Sequence, residues 1–155
     1  FKFGMESFLH KCQKTGIDGI IIPDLPVDEY RVSYEALFEK YNIFNIFLIS
    51  PQTPEERITY LDSISKGFLY IVSTSATTGT INNFGESQIN YFKKVNDLNL
   101  KTPRLIGFGI SNNETFIQAC SFANGAIIGS SFIRALDGNG TLPENIHGFI
   151  RKIRG

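Results

Sequence analysis

Arg104-Leu-Ile-Gly-Phe-Gly-Ile-Ser111 and Asn124-Gly-Ala-Ile-Ile-Gly-Ser-Ser131 share one pattern: a short apolar run ends in glycine and then turns polar. The two ends lie one strand-plus-helix unit apart, which is how a paired phosphate cradle is laid out in sequence. Glycines let backbone N–H groups approach an anion closely, and a helix that follows adds its positive end. Ser130 contributes a hydroxyl donor and an N–H of its own. Taken singly, Gly107, Gly109 and Gly125 are also what tight turns require, so the weight rests on their combination with Gly129-Ser130-Ser131. The pairing suits a phosphorylated small molecule; it names no reaction.

Outward from these two ends, the same alternation covers the whole chain. Ile17–Ile22, Phe44–Ile49, Phe68–Val72, Arg104–Phe108 and Ala126–Ile128 are near-continuous apolar runs, as strands of a parallel sheet with covered faces require. Between them lie helical patterns. Met5, Phe8, Leu9 and Cys12 fall at i, i+3, i+4, i+7, a second helix runs from about Asp28 to Tyr41, and Ile58, Leu61 and Ile64 mark a third. Thr53 as cap, Pro54 as first helical residue and Glu56 as partner predict the start of that third helix. Ile89, Phe92 and Val95 mark the fourth. Phe116, Ile117 and Cys120 mark the fifth, opened by a box from Ser111 to Glu114. The stretch after Gly129 reads as turn-prone, and Ile146, Phe149, Ile150 and Ile153 form the face of the last helix.

Strands alternating with helices specify a parallel α/β fold, here with five strands and about six helices. By alternation alone a doubly wound sheet fits equally well. Glycine ends on the last two strands favour a barrel, because (β/α) barrels build their standard phosphate site from the loops after the last two strands. A closed barrel of that class needs eight strands. The expectation for residues 1–155 is therefore a single partial (β/α) barrel domain of parallel strands with flanking helices.

Composition narrows the function classes. Lys plus Arg and Asp plus Glu each number 15 in 155 residues, with no long run of one sign, so the footprint of a nucleic-acid binder is absent. Arg151-Lys152-Ile153-Arg154 reads as the last turn of a helix complementing its own dipole. Cys12 and Cys120 fall in helical stretches and, without a signal segment, read as reduced core residues of a cytoplasmic protein. No apolar stretch approaches the roughly 20 residues of a membrane span.

Other residues are candidates with a plainer reading beside them. Asp24, in Pro23-Asp-Leu-Pro26, follows a strand end, the catalytic side of barrels, and is equally placed for turn chemistry or helix capping. Tyr70 lies inside a strand, either lining a pocket or packing the core. Thr78-Gly79 sits in the polar stretch from Ser73 to Glu86, a lid over a ligand or an ordinary long loop. His10 and His147 fall on helices and read as surface residues. No Cys/His/Asp grouping has metal-ligand spacing, and there is no nucleophile elbow, Walker loop or dinucleotide fingerprint.

Together, Gly16-Ile-Asp-Gly-Ile-Ile-Ile-Pro-Asp-Leu-Pro26, Phe68-Leu-Tyr-Ile-Val-Ser73 with Thr78-Gly79, Gly107-Phe-Gly-Ile-Ser111 and Gly129-Ser130 resemble the tryptophan synthase alpha subunits, in order and spacing, over essentially the whole chain. Other phosphate-binding barrels share the glycine cradle but not the Pro-Asp-Leu-Pro turn and the Thr-Gly loop. The resemblance implies a (β/α)8 barrel of which this chain is strands four to eight. It implies retro-aldol cleavage of indole-3-glycerol phosphate to indole and glyceraldehyde 3-phosphate, with no cofactor of its own. It also implies a beta subunit partner that carries pyridoxal phosphate. Carried over, Gly79, Gly107, Gly109, Gly129 and Ser130 match phosphate-site positions and Tyr70 a pocket tyrosine. Thr78 matches the threonine of the mobile loop, and Asp24 and Pro26 match the strand end on the beta-subunit side. Ala76 and Thr77 depart mildly from the Gly and Val often found there.

The chain opens with Phe1 and no initiator methionine, so it reads as part of a longer protein. The family's acid–base glutamate and indole-orienting aspartate are expected upstream of Phe1, leaving no catalytic residue in this chain and little or no cleavage by it alone. Rival readings are another phosphate-binding barrel enzyme, and a non-catalytic module that binds phosphate or docks a beta-type subunit. Five apolar parallel strands without their remainder expose two edges and an inner face, so the isolated chain is expected to self-associate or to be partly molten.

Overall fold

Local sequence sets the elements, and the register of the strands decides which side chains meet. The computed structural model describes residues 3–73 and 84–155. In order these form α1 (Met5–Lys14), β1 (Gly19–Ile21), α2 (Val27–Glu29), a π-helical turn (Tyr30–Tyr34), α3 (Glu35–Tyr41), β2 (Phe44–Ile49), α4 (Glu55–Ile64) and β3 (Leu69–Val72). Then follow α5 (Glu86–Asp97), β4 (Arg104–Gly107), α6 (Asn113–Cys120), β5 (Gly125–Ile127), α7 (Ser130–Leu136) and α8 (Leu142–Arg154). All strand pairs are parallel, and the sheet order is β1-β2-β3-β4-β5. Among the described residues the order never reverses, and they hold no switch point of the kind that defines a doubly wound sheet. The sheet is a half-barrel with flanking helices, as expected.

Paired residues of a parallel ladder share a face, and successive residues alternate. Phe47, Leu69 and Arg104 therefore share one face with Ile49, Ile71 and Ile106. That face carries the core: Ile49, Leu69, Ile71 and Ile106 are sealed under Phe38 of α3, Ile58 and Leu61 of α4, and Phe92 and Val95 of α5. Each such side chain contributes about 1.5–3 kcal/mol. Tyr30 meets Phe38 and Phe47 edge to face, with ring centroids 5.2 and 5.4 Å apart. The opposite, inner face carries Ile21, Ile46, Leu48, Tyr70, Val72, Leu105 and Gly107. Ile46 and Tyr70 are buried there yet stand outside the core cluster.

Asp62 ties the helix layer to the sheet. Its carboxylate accepts the Lys101 and Thr102 N–H groups at 3.0 and 2.8 Å. Burial pushes its pKa up, but these hydrogen bonds outweigh it and hold the carboxyl below its ordinary value.

Several local expectations are corrected. Of Ile17–Ile22 only Gly19–Ile21 pairs, and Ile17 and Ile21 are exposed, because β1 is an edge strand whose inner face has no cover. Thr53 does not cap α4. Its Oγ1 accepts the Ser50 N–H at 2.9 Å, and Pro54 stands at the cap position with extended backbone. At α6 the cap is Asn112, one residue later than Ser111: its Oδ1 accepts the Thr115 N–H at 2.9 Å. That helix buries Thr115 and Ala119, small residues that allow close approach to the sheet. Ile117 (57% exposed) and Cys120 turn outward, so Cys12 is a core cysteine and Cys120 is not. Phe8 on α1 and Ile150 on α8 are likewise exposed. The stretch after Gly129 is helical, forming α7. The last helix opens with a capping box, Thr141 N–H donating to Glu144 Oε2 at 2.8 Å, which the sequence reading passed over.

Candidate functional site

β4 stops at Gly107 because the next two residues leave the extended region: Phe108 has φ +65° and Gly109 φ +76°. Glycine adopts that backbone freely, whereas for phenylalanine it is uncommon. In-register pairing brings β3 alongside, with Tyr70 opposite Leu105 and Val72 opposite Gly107. The Tyr70 phenol lies directly over Gly107, so that a Cβ at Gly107 would stand 2.0 Å from the Tyr70 hydroxyl oxygen. A side chain at Gly107 is thus admitted only if the Tyr70 phenol shifts. The Tyr70 ring also packs on Phe108, centroids 5.7 Å apart. Burial raises the Tyr70 pKa, which keeps the phenol neutral and able to donate a hydrogen bond.

The neighbouring strand β5 ends at Ile127, and Gly129 precedes α7 with open space on its Cβ side. Ser130, the first residue of α7, is exposed. The structure therefore sets Gly107, Gly109, Gly129 and Ser130 at or just past the carboxyl ends of the adjacent strands β4 and β5, and Tyr70, inside β3, reaches Gly107 with its side chain. Thr78 and Gly79 lie outside the described residues.

Asp24 and Pro26 belong to the same rim but to a different place. They line a cavity of about 300 Å³ with Asn45, Thr53 and Arg57, where β1 gives way to its loop beside β2 and α4. None of the glycine-turn residues lines it. Asn45 was not singled out from sequence, although a lone amide inside Phe44-Asn45-Ile46 was its signal. It is buried, and its Oδ1 has no hydrogen-bond partner among the described residues.

A second feature escaped the sequence reading. Next to the glycine turns is an open groove of about 580 Å³, lined by Ser111, Asn112, Ser131, Arg134, Phe149 and Lys152 among others. Arg134 donates from Nη2 to Ser131 Oγ at 3.2 Å. Among the described residues neither Arg134 nor Lys152 makes an ion pair, so this side of the rim is electropositive. Arg134 was hidden because α7 was not expected, and Lys152 because it reads as part of a basic helix end.

His10 and His147 are exposed on α1 and α8. Among the described residues no group of three His, Cys, Asp or Glu converges as metal ligands, and no helix is long and apolar enough to cross a membrane.

A half-barrel with glycine turns on its last two strands has close counterparts. The family described as Tryptophan synthase alpha chain matches residues 1–150. The tryptophan synthase alpha chain of Christiangramia forsetii is 55% identical over 153 residues, which is 99% of this chain and 59% of that one. That of Flavobacterium johnsoniae is 52% identical, over 99% of this chain and 60% of its own length. Among solved structures, the Campylobacter jejuni alpha subunit superposes with a TM-score of 0.80 at 29% identity, over 99% of this chain and 60% of that one. A mutant alpha-subunit from Pyrococcus furiosus gives a TM-score of 0.80 at 26% identity, over 98% and 61%. The chain thus spans about three-fifths of the length of the relatives it matches. A five-stranded half-barrel that agrees with these proteins in sequence along nearly its whole length, and in backbone path, belongs to the tryptophan synthase alpha chain family.

Proposed function

We propose that residues 1–155 are one partial barrel domain, strands four to eight of an alpha subunit whose complete protein cleaves indole-3-glycerol phosphate to indole and glyceraldehyde 3-phosphate. The observation that carries this reading is the convergence of two glycine turns at the ends of adjacent parallel strands, one with consecutive left-handed residues at Phe108 and Gly109. Backbone N–H groups there suit a phosphate. In this reading Gly107, Gly109, Gly129 and Ser130, with Gly79 from the loop, hold the phosphate, and Tyr70 lines the pocket as a neutral donor. Thr78 belongs to the lid over the substrate. Asp24 and Pro26 mark the rim that faces the beta subunit, and pyridoxal phosphate resides on that partner only. A cytoplasmic setting accords with this chemistry.

Cleavage breaks a carbon–carbon bond. It needs one group to take the proton of the glycerol hydroxyl and deliver one to the indole carbon, and another to accept the indole N–H. Asp24 cannot fill both roles, since its cavity is separate from the glycine turns. The 155-residue chain therefore binds the phosphate end of the substrate and turns over little or none of it. The test is incubation with indole-3-glycerol phosphate, following indole release and the Gly109 and Ser130 amide resonances together. Shifts at those amides without indole are expected. Turnover near that of an intact alpha subunit overturns the inactive-half reading, and unmoved amides overturn the cradle.

A further inference from the structure

Ser73 is fully buried just past the end of β3, and all three of its polar groups are engaged. Its N–H donates to the Gly107 carbonyl at 3.2 Å, and its carbonyl accepts from Gln88 Nε2 at 3.0 Å. Its hydroxyl donates to the Phe108 carbonyl at 2.6 Å. The first two bonds belong to the backbone and any residue at this position makes them. The third belongs to the side chain alone, and it lands on the one non-glycine residue of the turn with left-handed backbone.

That bond has a directional consequence. A peptide unit is planar and trans, so its C=O and N–H point in opposite directions. The carbonyl of Phe108 and the N–H of Gly109 belong to the same unit. With the carbonyl drawn toward buried Ser73, the Gly109 N–H must point away from it, and among the described residues that N–H has no acceptor. Left-handed backbone is unfavourable for phenylalanine, so without a partner for its carbonyl residue 108 relaxes to negative φ, and the Gly109 N–H is re-aimed with it.

We propose that Ser73 is a positioning residue for the glycine turn: its hydroxyl holds Phe108 in the left-handed conformation and so presents the Gly109 N–H to an anion. The anion step rests on the phosphate reading given above; the hold on Phe108 stands on the geometry alone.

The experiment compares the wild-type chain with S73A, F108G and the double variant, each isotope-labelled and titrated with inorganic phosphate. Scalar couplings report φ at Phe108, and the Gly109 amide reports phosphate. Positive φ at residue 108 is expected in the wild type and its loss in S73A, with phosphate bound about tenfold more weakly, as for removal of one buried hydrogen bond. In the F108G background, where left-handed backbone carries no penalty, S73A is expected to weaken phosphate by no more than about twofold. Positive φ retained in S73A overturns the proposal, as does an equal loss of affinity in both backgrounds. A wild type whose Gly109 amide ignores phosphate ends the phosphate reading, while φ at Phe108 still decides the role of Ser73. Where spectra are broad, hydrogen exchange across 105–112 by mass spectrometry makes the same comparison: faster exchange in S73A supports the hold, and unchanged exchange overturns it.

Discussion

On the helix-packed face of the sheet Ile49, Leu69, Ile71 and Ile106 are sealed from solvent, whereas on the inner face Ile21 keeps 42% of its surface and Leu48, Val72, Leu105 and Ile127 are half-buried. Strands of the same apolar composition thus end in two different states. The difference lies in how far away each cover is in sequence. The helices that seal the outer face are the next elements along the chain. The inner face of a barrel is filled by strands from the opposite wall, in layers drawn from all eight. One face is completed by local neighbours and the other by distant ones. The glycine turns sit at the carboxyl ends of β4 and β5.

Substitutions on the two faces put this contrast to the test. The largest effect is expected on the sealed side: I106A empties a site with no exposed surface and should cost about 2–5 kcal/mol in urea denaturation. A loss below 1 kcal/mol would mean that the outer core is not the main source of stability. G107A comes next. Its Cβ would collide with the Tyr70 phenol, and the side chain must shift at an expected cost of about 1–3 kcal/mol. Combining G107A with Y70A should cost less than the two single changes summed, and strict additivity would show that the two residues do not touch. The smallest effect on stability belongs to the open face. I21K should stay within about 0.5 kcal/mol of wild type, since the site is already wet. The same change should reduce self-association in sedimentation velocity. A wild-type chain that runs as a sharp monomer and unfolds cooperatively removes the idea that the inner face is adhesive.

The strands were legible in the sequence because strands of a parallel sheet are near-continuous apolar runs, as in Leu69–Val72 and, Asn45 apart, Phe44–Ile49. The turn after β4 was legible because glycine suits what it requires, a close approach of Tyr70 at Gly107 and a positive φ at Gly109, whereas Gly129 has open space beside it. Helix faces were read less well. Periodicity favours the largest apolar residues, so Ile117 and Cys120 were placed inward, but α6 packs through Thr115 and Ala119 because a close contact selects small side chains. The cap slipped by one residue at Asn112, since Ser111, Asn112 and Asn113 all qualify chemically and the path of the chain chooses among them. Ser73 and Asn45 carried no pattern. The Ser73 hydroxyl finds its partner 35 residues away, and the Asn45 Oδ1 has no hydrogen-bond partner among the described residues.

The alternation of elements, the parallel sheet and the two glycine ends are readable from the amino-acid sequence, because each follows from residues within one turn or one strand of each other. The folded arrangement set the strand order without reversal and sealed one face, leaving the other partly covered with Ile46 and Tyr70 among its buried residues. It also showed that the Tyr70 phenol occupies the space above Gly107 and that Ser73 holds the Phe108 carbonyl. These depend on register and on approach between strands, which no local propensity encodes.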